Sequence, residues 1–110
     1  MKRVAIILAA TGVMALPWSA QARGNADSGK GKAQACAACH GPEGNKPAGP
    51  DFPIIAGQHA DYLRKVLLDY KSGARANPIM KGFAAALSKQ DIDDLAAYFA
   101  SQSSPLQTHR

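Results

Sequence analysis

Apolar residues recur along this chain every three to four positions, a period that predicts helices. The clearest stretch is His59 to Ser72, where Tyr62, Leu63, Val66, Leu67 and Tyr70 share one face and Arg64, Lys65, Asp69 and Lys71 lie elsewhere. Gly73 follows as its C′ residue, with Lys71 in the last turn. A second helix runs to about Gln102 with Ile92, Leu95, Tyr98 and Phe99 on one face. Ser88 and Asp91 have the spacing of a capping box at its start, and Asp91, Asp93 and Asp94 complement its dipole. Ala26 to Ala35 predicts a weaker helix with Asp27 or Ser28 as N-cap, because Gly29 and Gly31 each cost about 1 kcal/mol relative to alanine. Glycine inside a helix often marks close passage of another backbone; Gly29 is the expected crossing point, with Gly31 as the alternative. Gly41, Pro42, Gly44, Pro47, Gly49, Pro50, Pro53 and Gly57 predict a long irregular loop between the first two helices. No alternating run of strand length and no internal repeat occurs, and the tail from Ser103 to Arg110 is expected to be loose.

The first residues follow another pattern. Lys2 and Arg3 precede an apolar run of 13 residues, Val4 to Leu16, interrupted only by Thr11 and Gly12; Ala20-Gln21-Ala22 then forms an A-x-A cleavage pattern. The run is shorter than the roughly 17–25 residues that span a bilayer, and Pro17 stops a helix from lengthening it. Residues 1–22 are therefore expected to be a cleaved export signal and residues 23–110 one small domain, free of the membrane after processing.

Cleavage after Ala22 leaves 88 of the 110 residues, whose aromatics are Phe52, Tyr62, Tyr70, Phe83, Tyr98 and Phe99. A chain this short buries a thin core and usually needs a staple. Without Lys2 and Arg3 the formal charge falls from +5 to +3, and the basic residues are spread along the sequence. Nucleic-acid binding wants Lys and Arg gathered on one face and is not expected. A mildly basic rim that steers an acidic partner fits the distribution.

Both cysteines lie in Cys36-Ala37-Ala38-Cys39-His40. On a helix, thiols three residues apart sit about one turn apart on one side, so both can bond one edge of a haem. The histidine that follows is carried under the iron as proximal ligand, so a single segment attaches the ring and ligates the metal. A Cys-x-x-Cys pair also occurs as a redox dithiol or as half of a zinc site. The dithiol fold puts a strand before the motif, where this chain is helix-like, and zinc needs a further ligand pair that does not follow. One covalent haem c is the reading that remains, and it supplies the staple.

Iron bound by His40 has one axial position left, and Met80 is the only methionine after residue 22. It sits in a predicted turn, Asn77-Pro78-Ile79-Met80, and its thioether is a soft neutral ligand that favours ferrous iron. The rivals are a core role for Met80 and ligation by His59 or His109. A proximal histidine usually donates its other N–H to a carbonyl; Pro50 is the candidate acceptor, with Pro47 and Pro53 close behind. Asn77 could donate to the Met80 sulfur and Arg75 could pair with a haem propionate, although both also read as ordinary loop residues.

With these residues in place the chain resembles the monohaem class I cytochromes c. It is most similar to one lobe of the two-haem periplasmic bacterial cytochromes and to their small single-haem relatives. Cys36-Ala37-Ala38-Cys39-His40-Gly41 matches the attachment segment, and Gly49-Pro50-Asp51-Phe52-Pro53 the loop whose proline carbonyl accepts from the axial histidine. Ala56-Gly57-Gln58-His59 with Tyr62-Leu63, the run from Ser72 to Met80, and Leu95-Ala96-Ala97-Tyr98 resemble the following helix start, the ligand loop and the terminal helix. The departure from the two-haem pattern is that C-x-x-C-H occurs once. The resemblance implies an all-α fold of about four helices around one haem with an exposed edge, and Phe52 among the residues that contact the cofactor. It also implies a periplasmic one-electron carrier, not an enzyme, that docks transiently with a redox donor and a redox acceptor protein as a monomer. Two readings compete: a gas sensor or peroxidase-like protein with a labile sixth ligand, and a cytochrome subunit fixed to a larger oxidoreductase.

Overall fold

The computed structural model describes residues 4–15 and 24–106. Those residues hold five helices and no strand: α1 (Ala26–Lys32), α2 (Gln34–His40), α3 (Ala60–Ser72), α4 (Pro78–Ala85) and α5 (Lys89–Ser101). The all-α expectation holds, with one helix more than foreseen. Residues 4–15 are irregular chain whose large apolar side chains, Val4 to Met14, are exposed. Lys2, Arg3, the Ala20-Gln21-Ala22 pattern and His109 lie outside the described residues. Among the described residues no helix is long and apolar enough to cross a membrane.

The core sits between α1, α3 and α5. Ser88 and Asp91 form the capping box at the start of α5, with Ser88 Oγ accepting from Asp91 N at 3.0 Å and Asp91 Oδ2 from Ser88 N at 2.9 Å. The face read from the sequence is the buried one: Ile92, Leu95, Tyr98 and Phe99, joined by Ala96. Leu63 of α3 and Ala33 complete the buried cluster.

α1 crosses α5 at Gly29, where a Cβ would lie 2.0 Å from Asp94 O and 2.7 Å from Tyr98 Cβ. At Gly31 a Cβ would meet nothing within 4 Å, so the crossing uses only the first glycine. Beside the crossing, Asp94 accepts from Asn25 N at 2.8 Å, Lys32 Nζ at 2.7 Å and Gln90 Nε2 at 2.9 Å, and Lys32 also reaches Asp91 at 2.9 Å. Lys32 is the main cause that holds the Asp94 and Asp91 carboxyls down at about 2, helped by Asn25 N–H at the first and by Ser88 at the second. Asp93 pairs with Arg64 of α3 at 2.6 Å. The acidic turn expected to complement the dipole therefore also ties α5 to two other helices.

Three expectations about helix ends need correction. The stretch Ala26 to Ala35 is not one helix: around Ala33 the backbone tightens to three-residue spacing, Ala33 N to Lys30 O and Cys36 N to Ala33 O, and α2 starts afresh. The N-cap of α1 is Asn25, whose Oδ1 accepts from Ser28 N at 2.9 Å, so Asp27 and Ser28 lie inside the helix. Asn77-Pro78-Ile79-Met80 is the first turn of α4 and not a free turn. Asn77 Oδ1 caps Ile79 N and Met80 N at 3.1 Å each, and Pro78 occupies the N1 position that suits its fixed φ. Gly73 ends α3 as expected, in the left-handed region at φ 84°.

Away from the core, the start of α1 and the end of α5 border a polar cleft of about 240 Å³ lined by Asp27, Lys30, Glu43 and Gln102 among others.

Candidate functional site

A cavity of about 420 Å³ opens between α2, the loop of residues 51–58, α3, α4 and the inner face of α5. That size lies within the roughly 300–1,000 Å³ of cofactor sites. Leu63, Val66, Leu67, Leu95 and Phe99 make it largely apolar, and Cys36, Cys39, His40 and Met80 all reach it. The residues singled out from the sequence thus come from two separate helices to one space.

The attachment segment is helical, as its spacing requires. Cys36 and Cys39 are half-buried free thiols on α2, and burial, then the neighbouring Cys39, pushes the Cys36 thiol up. His40 ends α2 and is 6% exposed. The chain then turns sharply at Gly41, whose φ of 87° a side chain would strain. His40 Nδ1 lies 2.8 Å from the Pro53 carbonyl. A carbonyl can only accept, so Nδ1 carries the proton and Nε2 keeps its lone pair for a metal.

The acceptor is therefore Pro53 and not Pro50. Pro50 occupies the tip of a turn closed by Phe52 N to Gly49 O at 3.2 Å and is exposed, and the chain reaches the imidazole only three residues later. Phe52 lines the cavity and meets the His40 ring edge-on, with centroids 6.4 Å apart.

Met80 enters from the first turn of α4, with Ile79 and Phe83 exposed beside it at the cavity mouth. Asn77 lines the cavity too, but its Oδ1 is spent on the helix cap, which leaves only the Nδ2 group for the expected bond to sulfur. Arg75 also lines the cavity, and its guanidinium lies 5.2 Å over the Tyr70 ring. The Tyr62 hydroxyl, then Tyr70, pushes its already high pKa up further. Its partners here are aromatic. His59, the rival ligand, is exposed at the N-cap of α3 and is not among the cavity residues.

Sequence reasoning missed Gln58, Tyr62 and Tyr70 as cavity residues. Positions 62, 66 and 70 form one stripe of four-residue spacing on α3, a signal that was available, whereas Gln58 lies before the helix.

The donor set fits haem c: two thiols on one helix edge, an oriented imidazole, a thioether and an apolar space to hold a flat ring. The family model for cytochrome c matches residues 26–103. Cytochrome c4 of Pseudomonas aeruginosa is 52% identical over 83 residues, 76% of this chain and 41% of that protein. Cytochrome c-554(548) of Halomonas halodenitrificans is 40% identical over 82 residues, covering 72% of this chain and 98% of that one. The crystal structure of reduced recombinant cytochrome c4 from Pseudomonas stutzeri superposes with a TM-score of 0.70 at 42% identity, covering 76% of this chain and 48% of that one. The chain spans about half the length, or less, of these cytochrome c4 relatives. Motif, fold and relatives agree: the chain belongs to the cytochrome c family, and its cofactor is covalently bound haem c.

Proposed function

We propose that the protein is a one-electron carrier of the periplasm, exported by residues 1–22 and working through residues 23–110, and that it has no catalytic activity of its own. The observation that carries this reading is the convergence of His40, fixed by Pro53, and Met80 on one apolar cavity that also holds both thiols. When bound, the haem iron supplies the one-electron couple.

The chain does the rest. Cys36 and Cys39 would hold the ring through thioether bonds from one edge of α2. His40 would offer Nε2 to the iron, and its Nδ1–H donates to Pro53 O, which keeps the imidazole from rotating and raises its basicity. Met80 offers a neutral sulfur that favours the reduced state. The apolar walls, Leu63, Leu95 and Phe99 among them, exclude water and so keep solvent rearrangement on electron gain small. The cavity mouth, flanked by Tyr62, Ile79 and Phe83, is where donor and acceptor proteins would approach.

If His40 and Met80 both bind the iron, reduced protein near neutral pH is expected to ignore carbon monoxide. Met80→Ala is expected to bind it stoichiometrically and to show a lower reduction potential. Rapid carbon monoxide binding by the unsubstituted protein would favour a gas-binding or peroxidase-like role instead.

A further inference from the structure

α4 is lightly secured. It has eight residues, and a free helix of that length has no stability of its own in water. Ala84 is its one buried residue, and Gly82 weakens it without serving a close contact, since a Cβ there would meet nothing within 4 Å. What packing it has is against α3. Asn77 caps its start. Near its other end Lys71, from the last turn of α3, donates from Nζ to Ala85 O at 3.1 Å and also to Leu87 O. Carbonyls at a helix C-terminus lack intrahelical donors, and the dipole favours a cation there. Lys71 was expected to serve the end of its own helix, and it bonds the end of its neighbour.

We propose that Lys71 is a positioning residue for Met80: by latching the end of α4 to α3 it sets how often α4 opens and carries the sulfur away from the iron. The proposal rests on Met80 being an axial ligand. A helix of about two turns melts as one unit, so a latch on its last turn is felt by Met80 in its first. An external ligand sees only the fraction of molecules in which α4 is open, and its apparent affinity rises in proportion to that fraction.

Imidazole titration of the ferric, haem-loaded protein reads that fraction. Lys71→Ala is expected to raise imidazole affinity about three- to tenfold, the effect of one lost charge-assisted bond. Lys71→Arg keeps donors at this place and should stay within about twofold of the parent. Gly82→Ala strengthens the helix and should lower affinity about two- to fivefold. Met80→Ala serves as the reference and should raise affinity most.

A lysine with a merely structural role would shift the urea midpoint of Lys71→Ala and leave imidazole affinity unchanged. That result, with Met80→Ala raised, overturns the latch alone, as does a Gly82→Ala change of the opposite sign. Unchanged affinity in Met80→Ala would overturn the ligand assignment, and the latch with it.

Discussion

Two glycines in one short helix should respond to the same substitution with opposite signs. In Gly29→Ala the new methyl would start 2.0 Å from the Asp94 carbonyl oxygen and 2.7 Å from Tyr98 Cβ. An ordinary carbon–oxygen contact is about 3.4 Å, so the overlap with the oxygen is about 1.4 Å, and a backbone carbonyl inside α5 cannot step aside. α1 and α5 must part by a comparable distance, which opens the core and stretches the Asn25 and Lys32 bonds to Asp94. Overpacking a tight core costs about 1–3 kcal/mol and sometimes more. With backbone as the obstacle, a net loss of about 3 kcal/mol or more is expected even after the ~1 kcal/mol that alanine returns as a helix former. For a domain of this size that loss is a fall in Tm of roughly 12 °C or more. In Gly31→Ala the methyl enters open space, and stability should rise by about 0.5–1 kcal/mol. Urea denaturation of the haem-loaded proteins, followed by far-ultraviolet circular dichroism, gives both values under one baseline. If both variants move the same way, or Gly29→Ala stays within about 0.5 kcal/mol of the parent, the crossing is not where the packing is tight.

Further tests address caps, charge and attachment. Ser88→Ala removes half of the capping box and should cost about 0.5–2 kcal/mol in the same assay; no loss would mean that α5 is held by packing alone. Asp94 and Asp91 are held at about 2 against an ordinary 3.8, so their contribution is present above about pH 4 and is lost as pH falls toward about 2. Thermal melts across that window should steepen for the parent and flatten for Lys32→Met, and equal slopes would show that Lys32 is not the cause. Cys39→Ser should leave at most one thioether, and haem staining on a denaturing gel should fall sharply. Full staining would remove Cys39 from the attachment.

Helix type and the buried face of α5 were legible because several local signals coincide there: Ser88 and Asp91 for the start, and Ile92, Leu95, Tyr98 and Phe99 for the face. Gly29 was legible as a crossing because a glycine costs stability in a helix unless a close contact uses it. What escaped was decided by tertiary contacts. Asn25, Asp27 and Ser28 are all competent caps, and the Asn25 N–H bond to Asp94, 69 residues away, accompanies the choice of the first. Asn77-Pro78 reads equally well as a turn or as N-cap followed by N1, and the packing of α4 on α3 decides for the helix. Pro50 and Pro53 are indistinguishable by composition; only the path of the loop brings the second carbonyl to His40. The place of Arg75 beside Tyr70 and Tyr62 depends on how the chain folds back after Gly73, which no local pattern states.

The polar cleft between the start of α1 and the end of α5 shares no lining residue with the cavity that receives His40 and Met80. The start of α1 and the end of α5 therefore lie outside the lining of the cavity that must stay open for electrons. A neighbour that seats itself in that cleft would leave the mouth flanked by Tyr62, Ile79 and Phe83 uncovered.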